Sequence, residues 1–359
     1  MAQPLAKAGP ASVEFRNVSM RYGAVTAVDN VNFTIEAGQL VTLLGPSGCG
    51  KTTTLRMIAG LEIASEGQIL IGGKDVTKLS AADRDVSMVF QSYALFPHMS
   101  VLENAAYGPT VKGLGKEQAK QMALEKLALV GLKGFESRYP SELSGGQQQR
   151  VAVARALVLE PQVLLFDEPL SNLDAKLRRR VREEIRELQQ DLNLTVAYVT
   201  HDQEEALAVS DRIIVMSNSR IAQQGAPREL YEQPANAFVA DFIGDANLVD
   251  AMVKTVSDGR AEVAIGSATI PLPARGLGHG PAKVAIRPEA LLLSGAAGPA
   301  SLPGRIGKCA YLGNHLDIMV ETEIGELFVV QYGARSMLEP GAPVAVSFAE
   351  SGVTLIPPA

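Results

Sequence analysis

A glycine-rich octapeptide, GPSGCGKT at residues 45–52, constrains this chain more than any other feature. It matches the pattern GxxxxGK[ST] and lies between an apolar run at residues 39–44 and a helix-like segment at residues 53–61. Glycines let the backbone curl so that successive N–H groups point at phosphate oxygens, and the start of a helix adds positive potential. The octapeptide therefore predicts a nucleotide phosphate loop between a strand and a helix.

The side chains of this loop suit the same ligand. Lys51 supplies a cation for the β- and γ-phosphates, and the Thr52 hydroxyl can ligate Mg²⁺. Cys49 lies beside a lysine and a helix N-terminus, which predicts a thiol shifted toward thiolate. We expect ATP to contact Gly45, Pro46, Ser47, Gly48, Cys49, Gly50, Lys51, Thr52 and Thr53.

A second motif, VLLFDE at residues 163–168, joins an apolar strand to two acids. Open α/β sheets bind their ligands at the carboxyl ends of the strands, where Asp167 and Glu168 stand. We expect Asp167 to hold Mg²⁺, directly or through water, and Glu168 to polarise the attacking water. The alternative is an ordinary strand that ends in surface acids, and the phosphate loop upstream argues against it.

Composition sets the limits for the rest of the chain. Its 359 residues are 47% hydrophobic and favour two globular domains. The net charge is −6. The residues from Asp245 onward contain 8 Lys/Arg and 11 Asp/Glu, a net charge of −3, which leaves −3 for the residues before them. Neither part is basic, so the charge gives no support to a nucleic-acid partner. The absence of a secretory signal and of a long apolar run predicts a soluble cytoplasmic chain.

The pattern of apolar residues changes along the chain. After a loose tail at residues 1–11, residues 12–244 alternate strands with helices, and buried strands are predicted at 162–166, 195–199 and 213–216. Between the first two, an apolar stripe from Leu177 to Leu192 predicts a helix whose arginine-rich face is solvated, since acids are interleaved; the alternative is a nucleic-acid surface.

The sequence pattern of residues 245–359 is typical of a small β-barrel. Short runs separated by Gly- and Pro-rich turns at 294–304 and 339–343 predict antiparallel strands. The predicted strands are 283–286, 316–320, 327–331, 344–348 and 353–356.

The sequence LSGGQ at residues 143–147 identifies the class of nucleotide-binding protein. At a helix start, the hydroxyl and closely spaced N–H groups of this motif form a second phosphate cradle. Here the chain resembles ABC ATPases, which implies an α/β P-loop ABC ATPase domain with a helical subdomain. The resemblance also implies a homodimer paired head to tail, in which each ATP lies between one phosphate loop and the partner's signature residues Ser144, Gly145, Gly146 and Gln147.

The resemblance assigns further roles at matching positions. Tyr22 matches the aromatic residue that stacks on adenine, and Asp174 ends the loop at 171–174 that crosses the dimer interface. Gln91 matches the glutamine that contacts Mg²⁺ and the attacking water. His201 matches the switch histidine on the γ-phosphate. The implied catalytic residues are Glu168, His201 and Gln91, and the implied Mg²⁺ ligands are Thr52, Gln91 and Asp167.

Motifs near and beyond the domain boundary resemble a narrower group. YEQP at 231–234, FIG at 242–244 and VAIRPE at 284–289 resemble importer ATPases for maltose, polyamine, ferric iron and sulfate, whose C-terminal domain is an OB-like TOBE barrel. The resemblance implies a peripheral subunit on the cytoplasmic face of the inner membrane, bound to permease subunits and served by an extracytoplasmic solute-binding protein. We favour ferric iron as the solute. Polyamine, sugar, sulfate and phosphonate stay open, as does a non-transport ABC ATPase.

The stretch after Gln91 is rich in large apolar groups although proline interrupts it. Leu95, Phe96 and Met99 either fill the core or line a groove that accepts a short helix of the membrane subunit. We favour the groove, because the coupling surface of the importer family follows the same glutamine.

Overall fold

The computed structural model describes residues 9–296, 298, 300–333 and 337–357. Contacts divide the chain into two compact units, Met1–Pro227 and Arg228–Ala359. Most of the predicted tail lies outside the described residues. Its last residue, Ala11, is buried, and its N–H donates to the carbonyl of Gln162 at 3.3 Å.

The first unit contains two sheets. A four-stranded antiparallel sheet has the order β2-β1-β4-β5, and a six-stranded sheet has the order β10-β9-β3-β8-β7-β6. In the larger sheet only β10 runs antiparallel to its neighbour, whereas the other pairs are parallel. The strands are β1 (Val13–Tyr22), β2 (Val25–Ile35), β3 (Leu40–Leu44), β4 (Glu66–Ile71), β5 (Lys74–Asp75), β6 (Val86–Val89), β7 (Val163–Asp167), β8 (Thr195–Thr200), β9 (Arg212–Ser217) and β10 (Arg220–Gly225).

Helices cover these sheets and form a separate helical cluster. Helices α2, α3 and α4 pack on one another around an apolar core of their own, which is the predicted helical subdomain. The helices of the chain are α1 (Lys51–Ala59), α2 (Val101–Val111), α3 (Lys116–Leu129), α4 (Gly145–Leu157), α5 (Ala175–Asp191), α6 (Gln203–Val209), α7 (Pro227–Glu232) and α8 (Ala237–Phe242).

The predicted buried strands β3, β7, β8 and β9 are confirmed, and β3 and β8 are buried along their whole length. Such strands have no polar face, because helices and sheets cover both sides. Helix α5 buries Val181 and Ile185 of the predicted stripe. Its arginines form ion pairs with acids, for example Arg179 with Glu183 and Arg186 with Asp211, which agrees with a solvated face.

The second unit has two five-stranded antiparallel sheets around one apolar core, as the barrel prediction requires. All five predicted strands are present, but residues 301–304 belong to a strand rather than to the predicted turn. Proline and glycine do not end that strand, because Pro303 and Gly304 pair with the strand at Pro343–Phe348. The strands are β11 (Asn247–Ser257), β12 (Arg260–Ile265), β13 (Ala268–Pro273), β14 (Gly280–Ile286), β15 (Leu291–Ser294), β16 (Ser301–Tyr311), β17 (His315–Thr322), β18 (Gly325–Tyr332), β19 (Pro343–Phe348) and β20 (Val353–Ile356).

The division between the units falls after Pro227, earlier than the predicted boundary after residue 244. Buried Arg287, which follows β14, explains the difference. Its guanidinium donates to the carbonyls of Tyr231, Ala240 and Ile243 and lies 4.0 Å from the centroid of the Tyr231 ring. These bonds fasten α7 and α8 to the second unit. Within the described residues, no helix is long and apolar enough to span a bilayer.

Candidate nucleotide-binding and catalytic site

The phosphate loop runs from the end of β3 to the start of α1. Gly50, at the N-cap of α1, has a φ of 104°, and a Cβ there would lie 2.4 Å from the carbonyl oxygen of Ala27. Only glycine fits both the backbone conformation and this close approach. Helix α1 begins at Lys51, two residues before the predicted start, so the loop's own lysine forms the first turn.

Lys51 is a buried cation without a carboxylate partner. It is 6% exposed, and its Nζ donates to the carbonyls of Gly45 at 2.7 Å and Pro46 at 2.8 Å. Among the described residues it forms no ion pair, so its charge is not neutralised by the chain itself. A buried charge is costly unless it is paired, and this arrangement therefore fits an anionic ligand such as a phosphate.

Thr52 and Asp167 face each other beside that lysine. The Thr52 Oγ1 lies 3.4 Å from Asp167 Oδ1, at the carboxyl end of β7. Burial, reinforced by the neighbouring charge of Glu168, raises the pKa of the Asp167 carboxyl. A divalent cation would relieve both effects, and oxygen ligands of this kind suit Mg²⁺.

The three predicted catalytic side chains meet at one oxygen. Glu168 Oε2 lies 3.4 Å from Gln91 Nε2 and 3.2 Å from His201 Nδ1. Gln91 is anchored in turn. Its side-chain Nε2 donates to Ser171 Oγ at 3.3 Å, and its main-chain carbonyl accepts from Asn172 Nδ2 at 2.9 Å. In the sequence, Gln91 and His201 lie about 80 and 30 positions from Glu168, and the parallel sheet brings the three side chains together.

Glu168 adopts an uncommon backbone conformation. Its φ is 45°, in the left-handed region that non-glycine residues rarely occupy. Its N–H donates to the carbonyl of Val199 at 3.0 Å, so strand β8 holds the turn in place. Such strain is often stored at functional sites, where the surrounding structure fixes it.

Sequence reasoning missed a buried group behind His201. Glu205 is 3% exposed and accepts hydrogen bonds from Tyr198 Oη and, at 2.8 Å, from Thr200 Oγ1. Burial raises the pKa of its carboxyl. Thr200 Oγ1 also accepts from the Asp202 N–H at 3.0 Å, so the network fixes the turn that carries His201. The signal in the sequence was a glutamate in the first turn of a helix that follows a largely apolar strand.

Tyr22 lies at the end of β1, and the residue is 46% exposed. Its pKa is raised, first by partial burial and then by Glu62, while Thr53 and Arg56 act in the opposite direction. Thr53 and Arg56 belong to α1, so Tyr22 presents an aromatic ring beside the helix that the phosphate loop opens.

The signature residues start α4. Ser144 is the N-cap: its hydroxyl accepts from the Gln147 N–H, while Gln147 Oε1 accepts from the Ser144 N–H at 2.9 Å. A Cβ on Gly146 would lie 3.0 Å from a methyl group of Leu177, so this glycine lets α4 and α5 approach. Within the described residues, no hydrogen bond joins residues 144–147 to the phosphate loop or to Glu168.

Asp174 caps the neighbouring helix. Its Oδ1 accepts from the Leu177 N–H at 3.0 Å at the start of α5. The side chain is exposed, as is Asn172, so the loop at 171–174 reaches from Glu168 to a solvent-facing surface.

The prediction of a thiolate-prone Cys49 is wrong. The residue is 4% exposed, and burial raises the pKa of its thiol, although Lys51 acts in the opposite direction. The Cys49 side chain belongs to an apolar cluster that includes Val41 and Leu43 of β3, and its Sγ lies 3.8 Å from Lys51 Nζ. Desolvation therefore outweighs the helix N-terminus and the ammonium.

Comparison with known proteins agrees with this architecture. The ABC transporter family model matches residues 28–171, and the TOBE domain model matches residues 284–356. The chain belongs to the family of ABC transporter ATP-binding proteins, and it is an ATPase coupled to transport.

Relatives of known name match almost the whole length. The chain is 60% identical over 347 residues to the Fe(3+) ions import ATP-binding protein FbpC 1 of Rhizobium meliloti, covering 97% of this chain and 98% of that protein. It is 53% identical over 325 residues to FbpC of Escherichia coli O157:H7, covering 90% of this chain and 91% of that protein.

Solved structures match part of the chain. A post-hydrolysis dimer of the ATP-binding cassette MJ0796, bound to ADP and phosphate, is 33% identical with a TM-score of 0.53, covering 60% of this chain and 99% of that chain. A second dimeric structure of MJ0796, described as a bacterial ABC transporter cassette, is 32% identical with a TM-score of 0.54 and the same coverage.

Proposed function

We propose that this chain hydrolyses ATP to drive ferric-iron uptake, as one of two identical subunits beneath a membrane permease. The observation that carries the ATPase assignment is the convergence of Gln91 and His201 on one oxygen of Glu168, beside an unpaired buried lysine. The iron assignment rests on the 58–60% identity to FbpC proteins of Rhizobium, Agrobacterium and Brucella species over 97% of the chain. An extracytoplasmic solute-binding protein would deliver the iron.

In this proposal the phosphate loop and Lys51 hold the triphosphate, and Tyr22 stacks on the adenine. Thr52, Asp167 and Gln91 hold Mg²⁺, which when bound neutralises charge on the β- and γ-phosphates. Glu168 accepts a proton from the attacking water. Gln91 and His201 hold the Glu168 carboxylate in one orientation, which lowers the entropy cost of reaching the reactive geometry.

The homodimer completes the site. Ser144, Gly145, Gly146 and Gln147 of one subunit would close over ATP held by the other, and Asp174 would lie at the interface between them. ATP then favours the closed dimer by its greater affinity for that state, and the change is passed to the permease. The MJ0796 cassettes, which are dimers and resemble the first unit, support this arrangement.

Substituting Glu168→Gln tests the catalytic proposal. The amide keeps the shape of the side chain but cannot accept a proton, so kcat should fall by about a hundredfold or more while the affinity for ATP stays near the wild-type value. The measurements are steady-state phosphate release and nucleotide binding at equilibrium. Wild-type turnover in this variant would remove Glu168 from the proposed role.

The solute is tested separately in cells that lack this gene. Uptake of radioactive ferric iron should be lost and then restored by the wild-type chain but not by the Glu168→Gln variant. Uptake of radioactive putrescine and sulfate serves as the control and should not change. Unchanged iron uptake, together with loss of another solute, would replace the iron assignment without affecting the ATPase proposal.

A further inference from the structure

One arginine of α5 joins two parts of the candidate site. Arg178 lies in the first turn of α5, and its side chain is half buried. Its Nη1 donates to Asp202 Oδ2 at 3.3 Å, and its Nη2 donates to the main-chain carbonyl of Leu173 at 3.2 Å. Asp202 directly follows His201, and Leu173 belongs to the loop at 171–174. A single guanidinium therefore links that loop to the turn that carries the histidine.

The Asp202 end of this link is held firmly. Asp202 caps α6, because its Oδ1 accepts from the Glu205 N–H at 3.0 Å, and its own N–H donates to Thr200 Oγ1 at 3.0 Å. One carboxylate oxygen thus serves the helix, and the other accepts from the guanidinium. The His201 ring is exposed, and its hydrogen-bond partner among the described residues is Glu168 Oε2. The direction of that ring therefore depends on the backbone that Asp202 holds.

The Leu173 end reaches the other functional segments of the first unit. A Cβ on Gly145 would lie 3.1 Å from a methyl group of Leu173, so the start of α4 packs directly against this side chain. In the same loop, the Ser171 hydroxyl accepts from Gln91 Nε2 at 3.3 Å. The loop at 171–174 thus contacts the signature and the catalytic glutamine, and through the guanidinium it also contacts the turn of the histidine.

The alternative is an ion pair that only stabilises the fold. The next arginine of α5, Arg179, forms such a pair with Glu183 on the exposed side of the helix, where water screens the charges. Arg178 is more buried, and it lines a cavity of about 50 Å³ together with Glu168 and His201. A planar guanidinium also presents its donors at a fixed separation, so it can hold two segments in register, which a point charge cannot do.

We propose that Arg178 is a positioning residue for ATP hydrolysis. It holds the loop at 171–174 and the turn of His201 in one register, so that a second subunit packing on the loop also fixes the histidine against Glu168. This inference rests on the proposed homodimer, in which the loop lies at the interface.

Three variants of the full-length chain test this role. Arg178→Met removes both donors and keeps an apolar stem. Arg178→Lys keeps the charge but cannot make two contacts of fixed geometry. Arg179→Met is the matched control, because it removes an exposed pair one residue away. Steady-state phosphate release gives kcat and the KM for ATP, and thermal unfolding shows whether each variant is folded.

Arg178→Met should lower kcat by about tenfold, because a small misplacement of a group at a reactive site has a large effect on rate. The KM for ATP should stay within about twofold of the wild-type value, since the phosphate loop and Lys51 are untouched. Arg178→Lys should recover only part of the lost rate, and Arg179→Met should match the wild type. A purely structural role would lower the unfolding temperature without this separation of kcat from KM.

A double-mutant cycle tests whether Arg178 acts through Asp202. Asp202→Ser keeps an oxygen that can cap α6 but is too short to reach the guanidinium. On this background Arg178→Met should change kcat by less than about twofold, because the link is already broken. Asp202→Thr replaces the serine variant if that one does not fold.

Any of four results would overturn the link: wild-type kcat in a folded Arg178→Met variant, full recovery by Arg178→Lys, an equal loss in Arg179→Met, or independent effects of the two substitutions in the cycle. Each leaves the ATPase assignment standing, because Glu168→Gln tests it separately. Absence of an ATP-dependent dimer would remove the part of the inference that needs a second subunit, while the kcat values and the cycle would still decide the link itself.

Discussion

At the residue scale, the chemical type of a side chain and its environment contribute separately to how that side chain behaves. Lys51 and Cys49 lie two residues apart in one loop, and the thiolate predicted for Cys49 from its residue type and position is not found. The Lys51 ammonium donates to two carbonyl oxygens of the loop, whereas burial raises the pKa of the Cys49 thiol. A motif states which groups are present, and burial decides which ionic form each one takes.

Cys49 should therefore react slowly. With maleimide at pH 7 we expect Cys309, which is only half buried, to be alkylated well before Cys49. Raising the pH toward 9 should accelerate the reaction of Cys49, because its raised pKa keeps the thiol protonated at neutral pH. Peptide mapping by mass spectrometry measures both rates. Faster labelling of Cys49 than of Cys309 at pH 7 would contradict this environment.

At the element scale, the segment after Gln91 is neither wholly part of the core nor wholly an exposed groove. Phe96 and Met99 are half buried, and the Phe96 ring lies 4.6 Å from that of Tyr107 and 5.7 Å from the Arg155 guanidinium carbon. Asn104 fixes the loop, since its Nδ2 donates to three carbonyls. One face of Phe96 thus supports the helical subdomain, while the rest is available to a partner, and the groove for a permease helix stays a prediction.

Phe96→Glu should weaken the contact with the permease. A charge on a half-buried apolar anchor removes buried contact area and adds desolvation cost. We expect a folded subunit with unchanged ATP affinity that no longer co-purifies with the permease subunits. Val111→Glu, on an exposed position of the adjoining helix, is the control. A Phe96 variant that unfolds favours the core role, and one that co-purifies and transports normally refutes the groove.

At the scale of the whole molecule, no hydrogen bond among the described residues joins the phosphate loop to the signature residues of the same chain. The signature residues Gly145 and Gly146 pack against Leu173 and Leu177, while Thr52 of the phosphate loop faces Asp167. If the signature residues also bind phosphate, as proposed, a second copy of the chain has to supply them to each ATP, which supports the proposed homodimer.

Light scattering on variants tests that pairing. Glu168→Gln should accumulate as a dimer with ATP and return to monomer without it, because it binds nucleotide and does not turn it over. Adding Ser144→Arg should keep the chain monomeric with ATP while its own phosphate loop still binds, since the defect lies in the half that serves the partner.

Adding Glu117→Arg instead, in the exposed first turn of α3, should leave the dimer unchanged. Dimerisation of the Ser144→Arg double variant at wild-type strength would exclude the signature from the interface.

The sequence by itself determined the fold class and predicted the groups of the candidate site. The phosphate loop, the buried strands and the strand–acid motif are local patterns, because glycine conformation, apolar runs and helix starts depend on neighbouring residues. Only the tertiary structure decided how distant groups combine. It brought Gln91 and His201 to Glu168 and buried Glu205 behind the histidine. These depend on how parallel strands and packed helices are aligned, and that alignment is set by contacts between residues far apart in the chain.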